Sequence, residues 1–329
     1  MAEWLYEDGI GEARALMLEG GRPVEMRIER PSPARAGTVR DHAKLVKKLG
    51  ARGLVEMECG QQMLLAPLPK GASEGQQLRV EVTRELMRER GRLKLGLVRP
   101  TEEPRRDGPT LRERIMGDHA VRVVRAAGAE TLDDHGWHDL FEQARQGLVP
   151  FAGGSLRIES TSAFIAIDID GDLSPRELAF AAAPEVARAI RLFDLQGSIA
   201  VDFPTLPAKA DRARIVELFD EAAAFDCERT AVNGFGLLQI VRRRVRPCVV
   251  EELQGNDVAS AALALLRIGE RSGGRGQLML SAAPAVIDRL ERRFHLVEEL
   301  AQRIGRPVVM ESDPARGLWQ GEAVNEVET

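Results

Sequence analysis

The amino-acid sequence predicts a mixed α/β protein in which a small β-barrel interrupts the first part of the chain. Three observations lead to this fold class. Short β-prone segments recur at regular intervals through residues 37–98, strand-like and helix-like segments alternate through residues 151–253, and a shorter alternation follows to the end of the chain. The chain has 329 residues, which is enough for two or three domains.

The N-terminal region is predicted to be rich in strands. Residues 12–28 form two strand-like segments joined by Gly20 and Gly21, a pair typical of a hairpin turn. From residue 37 to about residue 98, turn residues separate short apolar segments such as GLVEME and QLRVEVTREL. This spacing suits a small closed barrel of the oligonucleotide-binding type.

The central region predicts a sheet flanked by helices. The segments GSLRIES, SAFIAIDID, SIAVDF and LLQIVRRRV are predicted strands, as is RTAVNG at residues 229–234. The helical segment after Asp172 contains Pro184, which either interrupts the helix or starts a second one. Strand–helix alternation produces a sheet whose strand ends can carry functional side chains.

These patterns give a predicted domain organisation. A polar segment rich in Pro and Gly, from Arg99 to Thr110, is the predicted linker after the barrel. The predicted parts are an N-terminal hairpin of the α/β core at 1–34, the barrel at 35–100, a linker and mixed region at 101–150, the α/β domain at 151–253 and a small α+β domain at 254–329.

Composition narrows the class of protein. Hydrophobic residues make up 44% of the chain and charged residues 29%, as in a globular protein, and no apolar run is long enough to span a membrane. The N-terminus lacks a basic-then-apolar signal pattern, so we expect a cytoplasmic protein. Cys59, Cys227 and Cys248 show no CxxC spacing, which argues against a disulfide framework and a thiolate zinc site.

The distribution of charge leaves two interpretations open. Net charge is −5, which gives no global support for nucleic-acid binding. Residues 27–52 nevertheless contain eight Lys or Arg against two acids. Such a basic region either binds the backbone phosphates of a nucleic acid or forms a charged face that only water contacts.

Two apolar strands end in acids. The stretch FIAIDIDGDL places Asp168, Asp170 and Asp172 within five positions, and GSIAVDF brings Asp202 to the end of a second strand. Mg²⁺ prefers carboxylate oxygens and keeps several waters while using one or two protein carboxylates, and a bound water can become a nucleophile. The alternative is that these acids only end strands at a solvated edge.

Two other motifs are weaker candidates for a site. The segment DDHGWHD places His135 and His138 among three acids, but the glycine between them weakens any fixed helical spacing of metal ligands. The segment RRRVR, from Arg242 to Arg246, ends an apolar strand and is either a phosphate-binding segment or an exposed strand end.

Several segments resemble the ribonuclease E/G family in their order along the chain. They are ARALMLEGGRPVEMRIER, GGSLRIESTSAFIAIDIDG, PEVARAIRLFDLQGSIAVDF, GFGLLQIVRRRVRP, and the region from ALALLR to LAQRIGRPVVM. The resemblance implies a ribonuclease E/G-like α/β catalytic domain with the barrel inserted into it. It also implies an endoribonuclease that hydrolyses single-stranded RNA with Mg²⁺ as its cofactor.

The resemblance also implies roles for individual residues. Asp168 and Asp202 fall on the two metal-binding, catalytic aspartates of the family. Asp170 falls where the family usually has an asparagine that supports the second aspartate, so it is a third expected catalytic residue. Arg125 and Arg229 fall near the arginines that hold a 5′-monophosphate end of RNA.

Further RNA contacts are expected from other basic residues. If the barrel is the RNA platform, Arg84 and Lys94 are the best candidates on it. Arg242 and Arg244, near the catalytic strands, are the other two expected RNA-binding residues.

The sequence departs from the family at three places. Ala126 stands where a threonine is expected after Arg125, the barrel segments GLVEME and MLLAPL lack a phenylalanine on which a base could stack, and the paired cysteines of the family's zinc-bridged dimer are absent. We therefore expect no zinc-linked dimer, while a homo-oligomer formed in another way is compatible with the sequence.

These departures keep rival functions open. The alternative to an active nuclease is a catalytically impaired RNA-binding or regulatory protein that retains the ribonuclease E/G fold. A metal-dependent nuclease acting on DNA is a third interpretation.

Overall fold

The mixed α/β class is confirmed, with a closed five-stranded barrel, several sheets and accompanying helices. The computed structural model describes residues 2–89, 92–117 and 119–326. Contacts divide the chain into two units. Unit 1 comprises residues 1–31, 118–141 and 252–329, and unit 2 comprises residues 32–117 and 142–251.

The elements are numbered in chain order. The strands are β1 Ala2–Gly9, β2 Glu12–Glu19, β3 Arg22–Glu29, β4 Val39–Leu49, β5 Arg52–Glu56, β6 Gln62–Leu65, β7 Gln77–Arg84, β8 Met87–Glu89, β9 Arg92–Lys94, β10 Gly96–Pro100, β11 Ala120–Val124, β12 Leu148–Phe151, β13 Gly154–Ser160, β14 Ile165–Gly171, β15 Gly197–Asp202, β16 Glu228–Arg229, β17 Leu237–Arg242, β18 Gln277–Ala282, β19 Val308–Ser312 and β20 Glu322–Glu326. The helices are α1 Leu111–Ile115, α2 Trp137–Gln146, α3 Pro175–Leu192, α4 Lys209–Ala222, α5 Val249–Gln254, α6 Asp257–Arg271, α7 Pro284–Glu291 and α8 Phe294–Ile304.

Unit 1 contains two sheets. One has the order β11-β1-β2-β3, and the other has the order β19-β18-β20 and packs against α6, α7 and α8. The hairpin predicted at residues 12–28 is confirmed as β2 and β3. Gly20 and Gly21 both have positive φ, +58° and +80°, as a tight two-residue hairpin turn requires.

A buried ionic cluster lies in the first sheet of unit 1. The Arg14 guanidinium donates to Glu7 Oε1 at 2.6 Å and to Glu12 Oε1 at 2.9 Å, and all three side chains are almost completely buried. Burial by itself raises the pKa of both carboxyls. The charges and hydrogen bonds of Arg14, joined by Arg267 at Glu7 and by Arg30 at Glu12, together outweigh burial, so both pKa values lie below the ordinary value of 4.5.

The barrel belongs to unit 2. Its strand order is β10-β6-β5-β4-β7, and its core consists of aliphatic and methionine side chains such as Leu45, Met63, Val80 and Val98. Residues 32–117 contain no Phe, Tyr or Trp, so the barrel carries none of these three rings either inside or outside.

Unit 2 also contains the sheet that carries the acids. Its order is β12-β13-β14-β15-β17-β16, and α3 packs on β12, β13 and β14. Along β14, Ile165, Ile167 and Ile169 are buried, whereas Asp168 and Asp170 are exposed. Side chains alternate between the two faces of a strand, so the acids lie on the face away from the buried isoleucines.

Two local predictions are wrong. Pro184 neither interrupts nor starts a helix, because α3 runs through it and buries neighbouring residues such as Ala183, Val186 and Ala187. The segment 229–234 is not a strand beyond Arg229, because the Asn233 side chain accepts backbone hydrogen bonds and makes the rest a turn.

Two predictions concern features that the chain lacks. None of the helices in the described ranges combines the length and apolar character that crossing a membrane requires. Cys59 is exposed, Cys227 is half-buried and Cys248 is buried, and none of the three forms a disulfide. The domain boundaries proposed from the sequence stay predictions.

Candidate active site

Asp168 and Asp202 lie side by side on neighbouring strands. β14 and β15 run parallel, and the two aspartates are direct register partners. Hydrogen-bonded strands are about 4.8 Å apart, and residues paired in this way point to the same face of the sheet. Both side chains are exposed, so the sheet presents a pair of carboxylates at one strand edge.

Neither carboxylate of the pair forms an ion pair with a basic side chain of the described residues. Within the described ranges, Asp168 Oδ1 accepts one hydrogen bond, at 3.0 Å, from the Ile169 amide. Two adjacent carboxylates repel each other unless a cation lies between them.

The donor set fits a hard divalent cation that keeps most of its waters. In the part of the chain that the structure describes, no cluster of three or more His, Cys, Asp or Glu side chains is arranged as metal ligands. Mg²⁺ is commonly held by one or two carboxylates, with water supplying the other ligands. Asp168 and Asp202 match that pattern. Two carboxylates are too few to form a structural site in which the protein supplies every ligand.

Asp170 extends the acidic face along the same strand. It lies two residues beyond Asp168, is exposed, and is the register partner of Ser155 on β13. Residues two apart on a strand share a face and lie about 7 Å apart along it. Asp170 is therefore close enough to act on water or on a phosphate held at the pair.

Sequence reasoning missed one charged neighbour of the pair. Arg157 on β13 is the register partner of Asp168, so the row across the sheet reads Arg157, Asp168, Asp202 and then Leu237 on β17. Arg157 is exposed and forms no ion pair among the described residues. The alternation in GSLRIES was the available signal, because it puts Arg157 on the outward face.

A tight turn borders the Asp202 end of the row. Residues 233–236 connect β16 to β17, and the Phe203 amide donates to the Gly236 carbonyl at 3.1 Å. Gly236 has a φ of +95°, and a Cβ at this position would lie 2.1 Å from the Phe203 carbonyl oxygen and 3.7 Å from Asp202 Oδ1. Only glycine fits here without moving the turn.

The structure does not bring Arg242 and Arg244 to the carboxylate pair. Arg242 is the register partner of Gly197, at the start of β15, whereas Asp202 is at its end. Five residues of strand separate the two by about 17 Å. Arg242 donates to the Leu195 carbonyl at 2.7 Å and lies over the Phe225 ring, and Arg244 pairs with Glu251.

Of the other predicted RNA-binding residues of unit 2, Arg229 lies on β16 and Arg84 lies on β7 of the barrel. The prediction that Lys94 lies on the barrel is wrong, because β9 pairs with β8 in a separate two-stranded sheet. Arg229 is paired with Asp220, and the hydrogen bonds of that pair raise the pKa of Arg229. Arg84 ends β7 and donates to the Leu95 carbonyl at 3.1 Å. Lys94 is half-buried at the end of β9.

Arg125 lies in unit 1. It is exposed just after β11, next to buried Ala126, and lines a cavity of about 910 Å³. Three further arginines line the same cavity: Arg271, Arg303 and Arg306.

The histidine motif is occupied by local contacts. The His135 Nε2 lies 2.7 Å from Glu130 Oε1. Asp133, in the same segment, pairs with Arg267 at 3.0 Å and with Arg271. These contacts give His135 and Asp133 structural partners, whereas His138 is exposed and has no polar partner among the described residues.

Unit 2 combines an α/β sheet, which carries two paired carboxylates on adjacent strands, with a five-stranded barrel. This combination defines the class of the protein. Residues 109–245 match the Ribonuclease E/G family, and this segment includes Asp168, Asp170 and Asp202. The match over residues 109–245 confirms the resemblance to the ribonuclease E/G family that the motifs predicted.

Individual relatives agree with the family match. Ribonuclease E/G-like protein, chloroplastic, from Arabidopsis thaliana is 35% identical over 111 residues, and Ribonuclease E from Escherichia coli K12 is 36% identical over 112 residues. Each of these alignments covers 30% of this chain and 11% of the relative. Ribonuclease G from Salmonella typhimurium is 26% identical over 201 residues, covering 53% of this chain and 41% of the relative.

Proposed function

We propose that this protein is a Mg²⁺-dependent endoribonuclease that hydrolyses phosphodiester bonds of single-stranded RNA. One observation carries the proposal: Asp168 and Asp202 are parallel register partners on one exposed face, and no Lys, Arg or His side chain in the described ranges forms an ion pair with either of them. The match of residues 109–245 to the Ribonuclease E/G family supports RNA as the substrate class and hydrolysis as the reaction.

The side chains of the row have separate tasks in this proposal. Asp168 and Asp202 hold the cation, which when bound stabilises charge on the phosphate and lowers the pKa of a coordinated water. Asp170, on the same face, orients Asp202 or adds an outer contact to a coordinated water. Arg157 supplies a positive group beside Asp168 that binds a phosphate oxygen of the RNA strand.

Basic side chains of the barrel and of the neighbouring β8–β9 segment supply affinity for RNA. Arg84 and Lys94 lie in the same unit as the carboxylate pair and contact backbone phosphates in this proposal. Arg125, Arg229, Arg242 and Arg244 stay predicted RNA contacts, and the absence of a zinc-linked dimer also stays a prediction.

The test uses the purified full chain and a short single-stranded RNA labelled at one end. Cleavage is measured with Mg²⁺ and with a chelator. Asp168→Asn and Asp202→Asn should each lower kcat/KM by more than about 100-fold, because a ligand contributes at least as much as the groups that orient it. Both aspartates are exposed, so circular dichroism and thermal unfolding should be unchanged.

Asp172→Asn is the matched control. Asp172 is an exposed acid just beyond β14 that has no carboxylate partner on β15. The Asp172→Asn protein should cleave RNA with a kcat/KM within about twofold of the wild-type value. Near-wild-type cleavage by Asp168→Asn or Asp202→Asn would remove the proposed site.

The second candidate is an RNA-binding protein without turnover. The absence of any aromatic residue in 32–117 favours it, because the barrel then lacks the stacking surface that would hold RNA firmly for cleavage. It predicts RNA binding that does not depend on Mg²⁺ and no cleavage with Mg²⁺ or Mn²⁺. The same assay, run beside a binding titration, separates the two functions.

A further inference from the structure

Phe235 is the most exposed large hydrophobic side chain in the described part of the chain. It is 84% exposed, whereas the next, Met116, is 57% exposed. Single hydrophobic residues on a surface usually need no explanation. Phe235 differs because of its backbone and its location.

The backbone of Phe235 is fixed from both sides. Its amide donates to the Asn233 side-chain oxygen at 2.8 Å, and the same oxygen accepts from the Leu237 amide at 3.1 Å. Its carbonyl accepts a hydrogen bond from the Thr205 hydroxyl at 3.2 Å. A rigid turn therefore holds a ring that packs on almost nothing, so little backbone entropy is left to lose when a ligand covers the ring.

The turn lies directly beside the candidate cation site. Leu237, two residues after Phe235, is the register partner of Asp202. Gly236, the next residue, hydrogen-bonds to Phe203 and approaches Asp202 Oδ1. The exposed ring is thus held next to one of the two carboxylates.

We infer that Phe235 is a base-stacking residue that positions the nucleotide next to the scissile phosphate. The inference rests on the proposed function and names how the same site grips its substrate. An exposed aromatic ring stacks on any base, because every base has a π face. The barrel has no Phe, Tyr or Trp, so Phe235 offers a larger stacking surface than any side chain of the barrel.

Stacking at this position also accounts for single-strand selectivity. A base can cover the Phe235 ring only after it leaves its own helical stack, which costs little in a single strand and much in a duplex. Phe235 is therefore a positioning residue that discriminates between RNA conformations without reading sequence.

The experiment compares Phe235→Ala, Phe235→Trp and a matched control. Phe164→Ala is the control, because Phe164 is also an exposed ring, 42% exposed, but lies just before β14, four residues and about 13 Å of strand from Asp168. Substrates are short single-stranded RNAs in which one nucleotide at a time near the cleavage site is replaced by an abasic one.

Phe235→Ala should lower kcat/KM by about 5- to 150-fold, the range that loss of one stacked base spans. Phe235→Trp should restore most of the activity, and Phe164→Ala should match wild type. Wild type should lose a similar factor at one abasic position, and Phe235→Ala should lose nothing more at that position, because the stacking partner is already gone. Equal cleavage by Phe235→Ala and wild type would overturn the inference.

A binding readout keeps this test separate from the test of function. In an Asp168→Asn background, RNA carrying 2-aminopurine at the sensitive position should show fluorescence quenching that Phe235→Ala abolishes and Phe164→Ala does not. If wild-type protein cleaves and Phe235 has no effect, only the inference fails. If no protein cleaves RNA, the proposed function fails, and quenching that is unaffected by Phe235→Ala then overturns the inference independently.

Discussion

Replacing Gly236 by alanine tests whether the turn beside Asp202 sets the geometry of the site. A Cβ at this position would lie 2.1 Å from the Phe203 carbonyl oxygen, well inside the closest distance that real contacts reach. The turn or the end of β15 therefore has to move by about 1 Å to accommodate a single methyl group.

The loss of stability follows from two contributions. An L-residue at a φ of +95° is strained by about 1–2 kcal/mol. Loss of the hydrogen bond from the Phe203 amide to the Gly236 carbonyl adds about 1 kcal/mol. We expect the free energy of unfolding to fall by about 2–3 kcal/mol, and a shift of 1 Å at Asp202 to lower kcat/KM on the order of 100-fold.

Gly234→Ala is the matched control in the same turn. Gly234 has an ordinary φ, and a Cβ there would have no neighbour within 4 Å. Urea unfolding followed by circular dichroism gives the stability of each variant, and cleavage of a short RNA gives kcat/KM. Gly236→Ala protein with the same unfolding midpoint and activity as Gly234→Ala would refute the argument that this turn positions Asp202.

Three further predictions concern stability, its pH dependence and RNA affinity. Arg14→Met should lower the free energy of unfolding by about 3–5 kcal/mol, because Glu7 and Glu12 lose their shared buried partner; urea unfolding followed by tryptophan fluorescence measures it. Since the pKa values of Glu7 and Glu12 lie below 4.5, the stability they contribute is complete above that pH and is lost as pH falls through the lowered values; a flat stability profile from pH 5 to pH 3 would contradict this. Replacing Arg84 and Lys94 together by Ala should weaken binding equally across RNA sequences and make the slope of log K against log salt shallower by about 1.4. An unchanged slope in fluorescence-anisotropy titrations would show that these two side chains do not contact phosphates.

Strand pattern predicted the carboxylate pair well. Alternation of apolar and acidic residues put Asp168 on the outward face of its strand, and Asp202 ended a second strand of the same type. Period-two alternation is a local property, so sequence reveals it, and parallel pairing of the two strands then makes the acids neighbours.

Other features depended on contacts that no local pattern reveals. Arg242 follows an apolar strand that suggested a place near the acids, but β17 runs antiparallel to β15 and carries Arg242 to the opposite end. Pro184 stays inside a helix because buried neighbours on both sides stabilise it. The sequence did not reveal the exposure of Phe235, which lies between two predicted strands. The hydrogen bond from its amide to the Asn233 side chain makes this segment a rigid turn.

The composition of unit 1 from three separate parts of the chain has a consequence for the order of folding. Ile10 packs in one cluster with Leu265 and Leu280, so the first strands share a core with residues more than two hundred positions away. Closing a loop of about 250 residues costs roughly 3 kcal/mol more entropy than closing one of about 10. Prior folding of unit 2, which supplies most of the intervening residues, reduces that cost by shortening the effective loop. During synthesis, the barrel and the sheet that bears the aspartates can therefore fold before the C-terminal residues that complete the core of β1–β3 have been made.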